Sequence, residues 1–251
     1  MLNFTKIDIP HILNNGINSY ILKKTLYTRY MYENLLSLPY FQGMSKDDIT
    51  TMLDKVVFEF IKYNDGETIC HRGDDCNEFL ILTQGTLQAV SEAPDKSYKI
   101  TEEINAPFAI EPYSLFGYNT RHKREYIAKE SCTILSIKKT FLFSEIIKQK
   151  IFIINFMNLI SHNSEKLRDI IWDKTPESIA GRIVKFISLR CEQQQGRKII
   201  SIKMERLAEI LCETRLNVSK SLNEMQNAGL LELHRKEIII HSLKKLIDSV
   251  E

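Results

Sequence analysis

The residues whose types and spacing could do chemistry lie close together near the carboxy terminus, in Thr214-Arg215-Leu216-Asn217-Val218-Ser219-Lys220-Ser221-Leu222. Wound as a helix, this segment puts Val218, Leu222 and Met225 on one face at spacings of four and three. Arg215, Ser219, Lys220 and Asn223 fall on the others. Thr214 stands where its hydroxyl can accept a free amide of the first turn. The first two turns of such a helix, when exposed, fit the major groove of duplex DNA. There an arginine can bond a guanine edge, and amides, hydroxyls and ammonium groups can reach bases and phosphates. Arg215, Asn217 and Lys220 supply those groups, with Thr214 and Ser219 beside them. Leu216 offers no hydrogen bond but can touch a thymine methyl.

The elements that would position these groups can be read on either side. Lys203 to Leu211 predicts a short helix with Leu207, Ala208 and Leu211 inward, and Cys212-Glu213 predicts the turn before the capped helix. That helix runs to about Asn227 and closes at Gly229. Leu231-Glu232-Leu233 and Ile238-Ile239-Ile240 predict a two-stranded wing with His234-Arg235-Lys236 at its tip, where Arg235 and Lys236 would meet phosphates. Upstream, Thr175 reads as a cap, Pro176 as a first helical residue and Glu177 as an acid at the positive helix end. The helix they start carries Ile179, Ile183, Phe186 and Ile187 and stops before Gln193-Gln194-Gln195-Gly196. Ile199 to Ile202 then predicts a strand. Residues 175–251 therefore read as a winged helix-turn-helix, with a modest basic excess suited to DNA.

From Val57 to Ile137 the pattern consists of short apolar or alternating runs, with turns at Asn64-Asp65-Gly66-Glu67, Arg72-Gly73-Asp74 and Gln84-Gly85-Thr86. This predicts an antiparallel β-roll within residues 35–140. Ser45 can cap a short helix carrying Ile49, Met52, Leu53 and Val56 ahead of it. Between Phe141 and Lys174 the period turns helical. Met157, Ile160, Ser164, Leu167 and Ile171 recur at alternating fours and threes, beside an overlapping stripe of Ile153, Phe156, Ile160, Leu167 and Ile170. An unbroken helix over residues 141–174, apolar across that width, predicts a dimer seam, with packing of the stripe on the β-roll as the alternative. Residues 1–34 read as an appended arm that packs on the core.

The fold class is thus α+β: an amino-terminal β-roll, a long dimerisation helix and a carboxy-terminal winged helix-turn-helix. A chain of 251 residues with 43% hydrophobic and 26% charged content is ordinary for a globular protein. No long uncharged apolar stretch or secretory pattern occurs, so a cytoplasmic protein without a membrane partner is expected. Cys70, Cys76, Cys132, Cys191 and Cys212 are scattered, without a C-x-x-C pair, and read as reduced thiols. The net charge of +2 means that any basic surface is local.

This order of elements resembles the CRP/FNR superfamily of bacterial transcription regulators from about Leu35 to Leu246. The residues that carry it are Asn64-Asp65-Gly66-Glu67, Arg72-Gly73-Asp74 and Gln84-Gly85, then Leu207-Ala208-Glu209 and Thr214 to Leu222. The resemblance implies a homodimer on a palindromic duplex DNA operator, with RNA polymerase as a further partner. It also implies a cyclic-nucleotide-binding-like roll. Relatives often read Arg-Glu-Thr-Val-x-Arg in the second helix. Here Arg215 is kept, Leu216 replaces the glutamate and Lys220 ends the set, so a different operator is expected. Relatives that bind cyclic AMP carry a Gly-Glu pair and an Arg-Ser or Arg-Thr around the phosphate. Here the aligned residues are Ile110, Glu111, Pro112 and Tyr113, then Arg124 followed by Glu125. Glu111, Tyr113 and Arg124 are the candidate effector residues, and cyclic AMP is disfavoured. Relatives that hold an iron-sulfur cluster use amino-terminal cysteines, and residues 1–69 contain none. Haem stays open, with His11, His71, His122, His162, Cys70, Cys76 and Cys132 as nominal ligands that no pattern singles out.

Two other functional classes would leave different signatures. A cupin-type enzyme would call for an H-x-H pair, and the six scattered histidines do not provide one, so no catalytic or metal residues are expected. A cyclic-nucleotide-binding-like module that controls a protein partner is the alternative, and loss of salt-sensitive DNA binding in Arg215→Ala and Lys220→Ala separates the two.

Overall fold

The computed structural model describes residues 32, 33, 35–172 and 174–250. Apart from Tyr32 and Glu33, the arm expected over residues 1–34 lies outside them. Helix α1 (Lys46–Leu53) opens with a capping box. Ser45 Oγ accepts the Asp48 amide at 3.1 Å, and the Asp48 carboxylate accepts the Ser45 amide at 3.3 Å.

Eight strands follow: β1 (Glu59–Tyr63), β2 (Thr68–Cys70), β3 (Glu78–Gln84), β4 (Thr86–Glu92), β5 (Tyr98–Asn105), β6 (Phe108–Ile110), β7 (Glu125–Ala128) and β8 (Cys132–Lys138). One sheet has the order β1-β8-β3-β6, and the facing one includes β5-β4-β7-β2. Strand β3 shows why its apolar run is continuous rather than alternating. Leu80 and Leu82 point into the roll with Leu87, Ile104, Tyr126 and Ile134, while Phe79 and Ile81 point the other way, against Leu38, Phe41 and Phe152. Between β3 and β4, Gly85 has φ +87°, and a Cβ there would lie 2.7 Å from the Ser131 carbonyl oxygen.

The helical stretch after β8 is not continuous, contrary to expectation. It consists of α2 (Lys139–Ser144), a 3-10 turn at Ile146–Lys148 and then α3 (Lys150–Trp172). Ile146 and Phe152 enter the same core. In one straight helix, six residues would set them about 120° apart, so the break lets both be buried. The roll-facing stripe of α3 is Phe152, Phe156 and Leu159, with the Phe152 ring tilted against that of Phe41 at 5.2 Å between centroids. On other faces Ile154, Met157 and Leu167 are more than half exposed.

The carboxy-terminal domain comprises α4 (Ile179–Ser188), β9 (Lys198–Ile202), α5 (Met204–Ile210), α6 (Arg215–Asn227), β10 (Glu232–His234), β11 (Glu237–Ile240) and α7 (Leu243–Asp248). The cap of α4 is Ser178, whose Oγ accepts the Gly181 amide at 3.0 Å, and not Thr175. The expected helix start at Pro176 is likewise wrong. Pro176 lies against Gly181, where a Cβ would meet the proline Cβ at 2.6 Å, so this proline precedes the helix and covers it. Strand β9 pairs on one side with β11 and on the other with β5, from Tyr98↔Ile202 to Glu102↔Lys198. One seven-stranded sheet, β10-β11-β9-β5-β4-β7-β2, thus runs through both halves. Ile100 of β5 is buried in the carboxy-terminal core with Ile183, Phe186 and Ile200. Among the described residues, no helix is long and apolar enough to cross a membrane.

Candidate nucleic-acid interface and sensor pocket

Helix α6 is held by Val218, Leu222 and Met225, which are buried against α4, β9 and α5. Its start is fixed by Thr214, whose Oγ accepts the Asn217 amide at 3.2 Å. Cys212, in the tight turn before it, has φ +53°. Arg182 of α4 clamps this turn, since its guanidinium donates to the Leu211 carbonyl at 3.0 Å and pairs with Glu213. The Arg182 bond holds the Glu213 carboxyl below the usual carboxylate range. Glu213 also accepts from the Asn217 side chain at 3.3 Å.

The outward face carries Arg215, Leu216, Asn217 and Lys220, all exposed, with Ser219 half-buried. Leu216 is 77% exposed, which puts a bare apolar side chain among polar ones at the mouth of the helix. Arg215 Nη1 is 3.2 Å from Glu205 Oε1 of α5, an exposed pair that presets the guanidinium beside the helix start. Ser219 is engaged within α6, accepting from Asn223 Nδ2 through its carbonyl at 2.8 Å. Arg235 and Lys236 form the exposed tip between β10 and β11, where Lys236 takes φ +65° to make the turn. A groove of about 280 Å³ separates α6 from the wing and is lined by Lys203, Glu205, Arg215, His234 and Lys236. Arg215 of α6 and Lys236 of the wing therefore border one groove, with Glu205 as an acidic member the sequence reading passed over.

In the roll, Glu111 takes left-handed backbone angles (φ 39°, ψ 55°) at the end of β6. Its side chain is fully buried. The carboxylate accepts the amides of Lys123 at 2.7 Å and Arg124 at 2.9 Å, the Ser114 hydroxyl at 3.1 Å and the Tyr126 hydroxyl at 3.5 Å. His122 Nδ1 lies 3.7 Å away. The His122 ring is flanked by the Cys70 and Cys76 thiols, and these two with Glu111 raise its pKa from 6.5 to about 12. All five cysteines are free. Glu111 and Tyr113 line a cavity of about 240 Å³ with Tyr40, Leu159, Asn163 and Glu192, between the roll, α3 and the carboxy-terminal domain.

Of the three candidate effector residues, only Glu111 and Tyr113 border that cavity. The Arg124 guanidinium lies 3.5 Å from Glu102 and 3.2 Å from Glu192, itself a lining residue of the cavity. Glu102, from β5, also accepts the amides of Glu192 and Gln193 at 2.9 and 2.8 Å and pairs with the fully buried Lys198 at 3.0 Å. Four charges, two of each sign, thus meet where roll and carboxy-terminal domain join. Sequence reasoning missed Glu102, Lys198 and Glu192. The one trace was local: an acid and a lysine inside two otherwise β-forming runs. The Lys123 and Arg124 amides serve the Glu111 carboxylate, and the Arg124 guanidinium is engaged at the junction.

The family model for the cyclic nucleotide-binding domain matches residues 60–149, and that for the Crp-like helix-turn-helix domain matches residues 181–249. No curated protein matches the chain. Among solved structures it is similar to the catabolite activator protein of Thermus thermophilus, at 14% identity over 85% of this chain and 100% of that one, with a TM-score of 0.46. It is also similar to a mutant of CooA from Carboxydothermus hydrogenoformans, at 18% identity over 87% and 96%, with a TM-score of 0.46. A third is the sensor domain of the transcriptional regulator DNR from Pseudomonas aeruginosa, at 15% over 61% and 98%, with a TM-score of 0.48. The chain thus carries a cyclic nucleotide-binding domain followed by a Crp-like helix-turn-helix domain, the domain pair of DNA-binding transcription regulators of the CRP/FNR type.

Proposed function

We propose that the protein works as a homodimer that binds a palindromic duplex DNA operator sequence-specifically, and that its roll answers to something other than cyclic AMP. The observation that carries this reading is the first turn and a half of α6. It is capped and anchored from behind, and it presents Arg215, Leu216, Asn217 and Lys220 outward beside a basic wing tip. Arg215, Asn217 and Lys220 read base edges and Leu216 meets a thymine methyl. Thr214, Ser219, Arg235 and Lys236 lie along the phosphates. The exposed Met157 and Leu167 of α3 supply the seam between two copies, which places two reading helices about 34 Å apart on one face of the duplex.

Selection of bound duplexes from a random pool, followed by binding titrations across salt, tests the reading. Arg215→Ala costs about 1–3 kcal/mol on the selected site and relaxes one position in each half-site. Lys236→Ala weakens all sequences alike and lowers the salt slope by about 1 per subunit. Sedimentation of Met157→Glu and Leu167→Glu reports on the seam. Enrichment of no duplex, or retention of full affinity by Arg215→Ala, refutes the assignment of α6 as the reader. Cyclic AMP that tightens binding refutes the reading of the roll.

A further inference from the structure

The surroundings of Glu111 form an anion site. Two consecutive amides just before β7 point at one spot, each donating to a different carboxylate oxygen. Ser114 and Tyr126 hydroxyls add donors, and the His122 ring stands 3.7 Å away. Consecutive amides converging in this way concentrate positive potential, and an anion there is bound strongly because water is excluded. The spacing that fits two carboxylate oxygens also fits two oxygens of a phosphate.

The occupant belongs to the chain itself. Glu111 reaches the site from a left-handed backbone position, where a residue with a side chain is conformationally disfavoured and glycine is not. The next residue is Pro112, fixed in φ. The sequence therefore keeps a strained glutamate where glycine would sit at ease, and what the glutamate adds is its carboxylate. A tethered anion meets its site at an effective concentration of the order of millimolar or more, so a free anion competes poorly. It would also have to leave a carboxylate buried without donors.

We propose that Glu111 is a built-in ligand. Its carboxylate fills an anion site in the roll, so the segment His122 to Arg124 is held in place without a phosphate-bearing effector, and removal of that carboxylate opens the site to phosphate. This rests on the reading of the roll as insensitive to cyclic AMP and gives it a cause. The segment also carries Arg124, whose guanidinium meets Glu102 and Glu192 at the junction with the reading domain. The internal ligand thus steadies the contact that sets the reading domain.

The test is calorimetric titration of the full chain with inorganic phosphate and with cyclic AMP, alongside thermal melts in each, for wild type, Glu111→Gly and Glu111→Gln. Glycine suits the left-handed position, so the backbone gains what the lost hydrogen bonds cost in part. Wild type is expected to show no saturable heat with either compound into the millimolar range. Glu111→Gly should bind phosphate at a half-saturation at least tenfold lower than wild type and melt several degrees higher with phosphate than without. Glu111→Gln, which fills the same space, should show neither. The proposal is overturned by wild type binding phosphate as tightly as Glu111→Gly. It is equally overturned by a cooperatively melting Glu111→Gly with no phosphate dependence, or by one that melts without cooperativity and is restored by neither phosphate nor sulfate. DNA binding is read separately, so its absence in wild type refutes the regulator reading and leaves the anion titration to stand or fall alone.

Discussion

Substitution of Glu102 by alanine probes the junction most directly. Its carboxylate lies 3.0 Å from Lys198 Nζ and 3.5 Å from Arg124 Nη1, and it accepts the amides of Glu192 and Gln193 at 2.9 and 2.8 Å. Glu102 is 1% exposed and Lys198 is fully buried, so water does not replace what is removed. The change leaves two cations facing the single Glu192 carboxylate. Lys198 keeps only its bond to the Gln195 carbonyl. Removing one partner of a buried pair costs about 3–5 kcal/mol. About 3–5 kcal/mol is therefore expected from urea unfolding followed by circular dichroism, a large share of the total stability of about 5–15 kcal/mol typical of a folded protein. Glu102→Gln, which keeps an acceptor but no charge, should lose about 1.5–3 kcal/mol. The double variant Glu102→Ala/Lys198→Met should lose less than the sum of its singles by about 0.5–3 kcal/mol. A loss under about 1 kcal/mol in Glu102→Ala, or strict additivity with Lys198→Met, would refute the view that these charges hold the two domains together.

Two further outcomes follow from the roll. Gly85→Ala must both keep φ +87° and place a Cβ 2.7 Å from the Ser131 carbonyl, whereas Gly66→Ala at φ +81° meets nothing within 4 Å. Thermal melts should show a loss of about 1–2 kcal/mol for Gly66→Ala from backbone strain alone, and about 1–3 kcal/mol more for Gly85→Ala. The Cys70 and Cys76 thiols and the Glu111 carboxylate raise the His122 pKa from 6.5 to about 12, so the folded chain holds that proton more tightly than the unfolded one. The resulting stabilisation is complete below the unfolded value and falls as pH rises from there toward the folded one. The stability difference between wild type and His122→Gln should accordingly shrink between about pH 6 and pH 9, and a difference that grows over that range would contradict the assignment.

What the sequence disclosed follows from the range of the forces involved. The reading helix was legible because its determinants are local: Thr214 beside the first turn, and Val218, Leu222 and Met225 at helical spacing. The strands of the roll were legible as runs between glycine turns, though not their partners. Two errors came from reading a local pattern without its tertiary setting. Thr175-Pro176-Glu177 has the composition of a helix start, but packing of Pro176 over Gly181 moves the cap to Ser178. The helical period after Phe141 runs through residues 145–149, yet burial of both Ile146 and Phe152 in one core breaks it. In the candidate sites, Arg215 and Lys220 are on the outer face where periodicity put them, with Leu216 and Asn217 exposed beside them. The ion pairs that Arg124 makes were not legible, because its partners, Glu102 and Glu192, are distant in sequence and one comes from another domain. No local pattern encodes such a pairing.

That pairing constrains how the reading domain can move. Its sheet continues that of the roll through five paired residues of β5 and β9, and Ile100 of the roll is part of its core. Arg206 of α5 is bonded to Asp95 at 2.9 Å and to Ser97 at 3.1 Å in the turn before β5. Arg190, just beyond α4, donates to the Tyr98 hydroxyl at 2.9 Å. A rigid swing of the reading domain about residues 174–178 alone would have to separate all of these, together with the four-charge cluster. A motion that carries β5 along keeps them. The segment best placed to drive such a motion is the one touching both the roll interior and the cluster. That segment is residues 122–124, where the Glu111 carboxylate grips two amides from one side while the Arg124 guanidinium reaches Glu102 and Glu192 on the other. A shift there of a hydrogen-bond length changes the charge balance around Lys198, which is fully buried and has no solvent to compensate. A displacement in the roll that reaches residues 122–124 would therefore act directly on the charges at the root of the reading domain.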